Sequence, residues 1–158
     1  MRIVLIGAST LALTATEALL AAGHQVVIVE KNREVIEEVS KDYDCSFIHG
    51  DGSRPHILED VDPKHTDCLF CLSNEDTSNI LAAVVARSLG FEKVVVRIED
   101  RDLLPICTQL DLDHVIVPDK RVSRELVAFA EGNERALDTE AADDTGEEEA
   151  DAEAESQP

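Results

Sequence analysis

Tryptophan is absent from this chain of 158 residues, Tyr43 is its single tyrosine, and aromatic residues make up only 3% of it. A core must therefore come from Val, Ile, Leu and Ala. Such an aliphatic interior suits a buried parallel sheet covered by helices on both faces. Bases are scarce too: 14 Lys and Arg stand against 34 Asp and Glu, a net charge of −20. A surface so acidic excludes nucleic acid as a partner, because phosphate contacts need a basic face. No apolar run approaches the roughly 18 residues that a membrane-spanning helix requires. Met1-Arg2 leads straight into an apolar stretch, so no signal peptide is expected and a cytoplasmic location is. Four cysteines, Cys45, Cys68, Cys71 and Cys107, fit reduced thiols in that compartment.

What is present is concentrated at the start. Met1 to Ile6 is an apolar run rich in branched residues, followed by the small-residue turn Gly7-Ala8-Ser9-Thr10-Leu11-Ala12. A helical stretch, Leu13 to Ala22, closes on Gly23, and a second apolar run, Val26 to Val29, ends on Glu30, 23 positions after Gly7. Strand, tight turn, helix, strand, acid is the order of a dinucleotide-binding βαβ unit. A small-residue turn lets phosphate approach the backbone, and the helix N-terminus offers unpaired N–H groups and a positive dipole end. A carboxylate at the tip of the second strand accepts ribose hydroxyls and repels a 2′-phosphate, so Glu30 favours NAD or adenosine over NADP. The G-x-G-x-x-G pattern reads here as Gly7, Ser9 and Ala12. Ser9 puts a Cβ where a pyrophosphate comes closest. A nucleotide site and a Rossmann-type sheet with an altered site both remain open on the loop alone.

The rest of the chain alternates in the same way. Helical spacing over Arg33 to Lys41 precedes a short strand, Cys45 to His49, and the loop Gly50-Asp51-Gly52-Ser53, which falls on the sheet edge where ligands bind. Pro55 suits the first turn of a helix over His56 to Val61. Asp67 to Leu72 reads as a fourth, central strand. Ser73 or Asn74 is expected to cap the next helix, whose Ile80, Leu81, Val84, Val85 and Leu89 form an apolar face up to Gly90. Lys93 to Ile98 is a fifth strand, Glu99-Asp100 opens a helix through Leu104 and Cys107, and His114 to Val117 is a sixth strand. A last helix, Lys120 to Ala130, carries Val122, Leu126, Val127 and Phe129 and ends at Gly132. Six strands alternating with helices predict a doubly wound Rossmann-type parallel sheet with helices on both faces, spanning residues 1–133. From Ala136 to Pro158 there are ten acids and no base, half of the net charge. Residues 134–158 are therefore expected to be an acidic disordered tail.

Cys68-x-x-Cys71 has the spacing of half a zinc site or a redox pair. On a strand, however, positions i and i+3 face opposite ways, so the two thiols are expected in the core, on different sides. The five histidines show no paired metal spacing, and no metal site is expected. A Gly-x-Ser-x-Gly elbow is missing, and no lysine stands four residues after Tyr43. No catalytic residues are assigned.

Taken in order, these motifs resemble the RCK/KTN (TrkA-N) domain, the cytosolic nucleotide-binding regulator of potassium transporters and channels. The resemblance covers about Met1 to Ala130. It rests on the βαβ unit ending in Glu30, Gly50-Asp51-Gly52-Ser53, Thr66-Asp67-Cys68 through Ser73-Asn74-Glu75-Asp76-Thr77-Ser78-Asn79, Val96-Arg97-Ile98-Glu99-Asp100 and His114-Val115-Ile116-Val117-Pro118. It implies bound NAD(H) or an adenine nucleotide (AMP, ADP or ATP). Gly7, Ser9 and Thr10 would lie at the phosphates, Glu30 at the adenosine ribose, and Asp51 and Gly52 beside the adenine. Ser73 and Asn74 would border the distal half, with Arg97 nearby. Thr10 stands where many members carry a phosphate-contacting arginine, which favours AMP or NAD over ATP. The Lys120–Ala130 helix resembles the family's dimer-forming element. The acidic stretch is expected to stand in place of the family's usual C-terminal ligand-sensing domain.

The expected function is a non-enzymatic nucleotide sensor. It would form a homodimer or higher homo-oligomer and control an integral membrane cation transporter or channel, peripheral at the inner face of the membrane. The alternatives are a small NAD-dependent oxidoreductase, or a subunit of one, and a structural partner domain with a dead pocket.

Overall fold

A computed structural model gives the structure of residues 1–137. The chain divides into two compact units, Met1–Val117 and the stretch from Pro118 on. Six parallel strands build the first unit: β1 (Arg2–Ile6), β2 (Gln25–Glu30), β3 (Ser46–His49), β4 (Cys68–Cys71), β5 (Val94–Arg97) and β6 (Val115–Ile116). Their order across the sheet is β3-β2-β1-β4-β5-β6. Helices α1 (Thr10–Ala21), α2 (Arg33–Val39), α3 (Pro55–Asp60), α4 (Asp76–Ser88) and α5 (Leu104–Gln109) make the crossovers. The strand order reverses between β1 and β4, the point where doubly wound sheets open a crevice for ligands.

Two-residue alternation decides the layers. Ile3 and Leu5 of β1, with Val26 and Ile28 of β2, pack beneath Ala12 of α1 on one face. Val4, Ile6, Val27, Val29, Leu69 and Val96 pack against Leu58 of α3 and Ala82, Ala83 and Ala86 of α4 on the other. Leu5, Ile28 and Leu69 are fully buried, each contributing about 2 kcal/mol of apolar transfer free energy. Cys71 belongs to the second of these clusters, whereas Cys68 packs against the first. The thiols thus lie on opposite faces of β4, as the strand geometry requires, and burial pushes the Cys71 thiol well above its ordinary range.

Three local expectations are corrected. The first helix begins at Thr10, not Leu13, because Ser9 is its N-cap and accepts from Ala12 N–H at 3.2 Å. At α4 the capping position is Glu75, and neither Ser73 nor Asn74 caps it. The face that α4 buries is Asn79, Ala82, Ala83 and Ala86, while Leu81 is half exposed and Ile80, Val84, Val85 and Leu89 pack at the margins. Small side chains let the helix approach the sheet closely, so the alanines take the centre and the larger residues flank it.

Helix α6 (Pro118–Ala130) presents Val122, Leu126, Val127 and Phe129 to solvent. A 3-10 turn, Glu134–Leu137, follows, so four residues of the stretch expected as tail are helical. Residues 138–158, which hold all ten tail acids, lie outside the described residues. Among the described residues no helix is long and apolar enough to cross a membrane.

Candidate functional site

The ends of β1, β2, β3 and β4 at the carboxyl edge of the sheet converge on one cleft. Ile6 and Gly7 follow from β1, Val29, Glu30 and Lys31 from β2, and Gly50 to Ser53 from the loop after β3. Ser73, after β4, and Ser78, on α4, close the other side.

Gly7 shapes the floor. Its φ of +92° lies in the left-handed region, and a Cβ there would stand 2.7 Å from the Ser73 Cα. Both facts demand glycine: the first for backbone energy, the second because β1 and β4 run side by side and their exits touch. Gly52 is similarly confined, since an added Cβ would collide with the Ile6 side chain.

Glu30 bridges two loops. Its Oε2 accepts from Ala8 N–H and its Oε1 from Asn32 N–H, each at 2.8 Å. A carboxylate has about four acceptor positions, so both oxygens retain capacity for ribose hydroxyls. Across the cleft Asp51 Oδ1 accepts from Ser53 N–H at 2.9 Å and from Ser53 Oγ at 2.7 Å. Those two donors, helped by Arg54, hold the Asp51 carboxyl below its usual range.

Of the nine residues expected at a ligand, Gly7, Glu30, Asp51, Gly52 and Ser73 line this cleft. The other four do not. Ser9 is buried, and its hydroxyl donates to Leu72 O at 2.5 Å. Its hydroxyl is thus committed to the protein, donating to Leu72 O and accepting from Ala12 N–H, and Ser9 does not line the cleft. Thr10 is exposed in the first turn of α1, where helix geometry leaves N–H groups without intrahelical partners. Asn74 and Arg97 face each other: Arg97 donates to Asn74 Oδ1 at 3.1 Å and to Ser73 O at 2.8 Å, and it also pairs with Glu99. Arg97 is buried, so it holds the β4–α4 loop rather than projecting into the cleft. Asp76 fixes the neighbouring loop by accepting from Glu99 N–H at 3.0 Å and Asp100 N–H at 2.7 Å.

Sequence reasoning missed Lys31, Gly50, Ser53 and Ser78 as lining residues. Gly50 and Ser53 were legible, since they flank Asp51-Gly52. It also missed Asn79, which is fully buried beneath Ser73. A polar residue three, four and seven positions before Ala82, Ala83 and Ala86 was the available signal.

Sheet order, crossovers and a polar cleft at the reversal point define a Rossmann-type domain with an open ligand edge. The profile of the TrkA-N domain matches residues 3–118, and the chain belongs to the TrkA-N domain family. It is 24% identical over 152 residues to the Trk system potassium uptake protein TrkA homolog of Methanothermobacter thermautotrophicus, covering 89% of this chain and 70% of that one. To the TrkA homolog of Pyrococcus abyssi it is 33% identical over 101 residues, 63% of this chain and 44% of the relative. The chain thus spans less than half of the second relative. Among solved structures, the NAD(P)-binding domain of an exopolyphosphatase-related protein from Archaeoglobus fulgidus superposes with a TM-score of 0.73 at 17% identity, covering 82% of this chain and 96% of that one. The GsuK channel bound to NAD gives 0.70 at 16% identity over 80% of this chain and 23% of its own. The Shewanella denitrificans Kef CTD in its AMP-bound form gives 0.70 at 19% over 90% and 89%. At these identities the likeness establishes the fold.

Proposed function

We propose that this chain binds an adenosine nucleotide, AMP or NAD(H), in the cleft at the ends of β1, β2 and β3, and that it regulates potassium transport across a membrane without catalysing a reaction. The observation that carries the reading is Glu30. Its carboxylate sits at the tip of β2, is held in place by two backbone N–H groups and lines the cleft opposite Asp51 and Gly52. That arrangement suits adenosine with a free 2′-hydroxyl. The first-turn N–H groups of α1 suit a phosphate, and Thr10 in place of an arginine suits a ligand with fewer than three phosphates in a row. Membership of the TrkA-N family and relatives named as potassium uptake proteins support the regulatory role.

The partner in this reading is an integral membrane cation transporter or channel, with the domain at its cytoplasmic face. Helix α6, whose exposed apolar residues include Val122 and Leu126, would join two copies. Nucleotide switches such an assembly only to the extent that it binds one arrangement better than another.

Calorimetric titration with AMP, ADP, ATP, NADH and NADPH tests the proposal. AMP or NADH should bind most tightly and NADPH most weakly. If none binds at millimolar concentration, the nucleotide reading is wrong. Turnover of NADH with a carbonyl substrate would instead support an oxidoreductase.

A further inference from the structure

Lys31 follows Glu30 directly and lines the same cleft. A cation in this place is what a 2′-phosphate on the adenosine ribose would seek, since Glu30 itself repels it. Lys31 is already engaged. Its Nζ lies 2.9 Å from Glu75 Oε1, and the other oxygen of Glu75 accepts from Ser78 Oγ at 2.8 Å. Glu75 belongs to the loop between β4 and α4, so the pair spans the mouth of the cleft from one side of the reversal point to the other. The hydrogen bond to Glu75, with the charges of Glu75, Glu30 and Asp51, holds the Lys31 ammonium above its usual range. Arg33, the next cation along the chain, is paired in turn with Glu37 at 3.2 Å.

We propose that Glu75 is a specificity residue: by pairing with Lys31 across the cleft mouth it withholds that ammonium from a 2′-phosphate, and so favours AMP and NAD(H) over 2′-phosphorylated nucleotides. The inference rests on the nucleotide reading of the cleft given above. Selection against the extra phosphate then has two parts. Glu30 repels it directly, and Glu75 removes the nearest counter-charge that could compensate. Both members of the pair are more than half exposed, so the pair is displaceable and its effect on selection is modest, about fivefold.

A double-mutant cycle separates these parts. The affinities of 5′-AMP and of adenosine 2′,5′-bisphosphate are measured by calorimetry at low ionic strength for the native chain, Glu75→Gln, Lys31→Met and the double variant. Glu75→Gln should shift the affinity ratio about fivefold toward the bisphosphate. Lys31→Met alone should move the ratio less than it does in the Glu75→Gln background, because Lys31 is already occupied in the native chain. The double variant should lose the gain. The proposal is overturned if the native chain binds AMP and Glu75→Gln leaves the ratio unchanged, or if the shift persists without Lys31. If the native chain binds neither ligand, the nucleotide reading fails and this inference with it. Thermal unfolding of each variant reports that the fold is retained. Should Glu75→Gln not fold, the Lys31→Met comparison decides alone: a large loss of bisphosphate affinity in the native background would show Lys31 already available and overturn the proposal.

Discussion

Asn79 grips Ser73 with both ends of its side-chain amide. Its Oδ1 accepts from Ser73 N–H at 2.9 Å and from Ser73 Oγ at 2.7 Å, while its Nδ2 donates to Ser73 O at 2.9 Å and to Arg97 O at 3.0 Å. The amide orientation follows from chemistry, since a backbone N–H can only donate and a carbonyl can only accept. Asn79 thereby fixes the exit of β4, against which Gly7 rests, and ties it to the end of β5. One buried side chain fixes the position of the cleft wall that carries Ser73.

Asn79→Ala should accordingly destabilise the fold by about 3 kcal/mol, because several buried backbone groups lose their partners at once. Denaturant unfolding measures this. A loss under about 0.5 kcal/mol would mean that water or a rearranged loop replaces the amide without penalty.

Gly7→Ala should cost roughly 1–3 kcal/mol from the left-handed backbone alone, with further loss from the contact with Ser73. Nucleotide affinity should fall in parallel, because the collision moves the wall bearing Ser73. Chemical denaturation and calorimetry on the same sample give both quantities. Unchanged stability would contradict the tight approach of β1 and β4 at this point.

Glu30→Ala is expected to weaken AMP and NADH by about tenfold or more, the value of hydrogen bonds to a charged acceptor. It should also lower the stability of the ligand-free chain by about 1 kcal/mol, as Ala8 and Asn32 N–H lose their acceptor. An unaffected affinity would show that the ribose lies elsewhere.

The depressed Asp51 carboxyl makes a prediction about pH. Its stabilising contribution is present above the ordinary carboxylate value, near pH 4, and is lost as pH falls through the lower folded value. Ser53→Ala removes the hydroxyl donor, so Asp51 should titrate at higher pH than in the native chain. The part of the stability difference that arises from this charge should be present at neutral pH and disappear once Asp51 is protonated in both forms. Carboxyl carbon chemical shifts followed against pH would decide; an unmoved titration in the variant would exclude the hydroxyl as the cause.

The division of labour between sequence and tertiary structure is visible residue by residue. Branched aliphatic runs punctuated by Gly7, Gly23 and Gly90 specified the strands and turns, because alternation and backbone permissiveness are local properties. Six strands with helical crossovers then admitted little besides a doubly wound parallel sheet, and Glu30 and the Gly50–Ser53 loop fell on its ligand edge. The direction of individual side chains was another matter. Ser9 faces inward because Leu72, 63 residues away in sequence, offers it a carbonyl. Arg97 folds onto Asn74 and Glu99 instead of the cleft, and Lys31 meets Glu75, 44 residues on. Except for Glu99, which is two residues from Arg97 along the chain, these partners were brought near by the placement of β4 beside β1 and β5 beside β4. Periodicity reports which face of an element is apolar; only the pairing of distant strands decides which polar groups meet, and that pairing set Ser9 against the Leu72 carbonyl and Arg97 against Asn74, outside the residues that line the cleft.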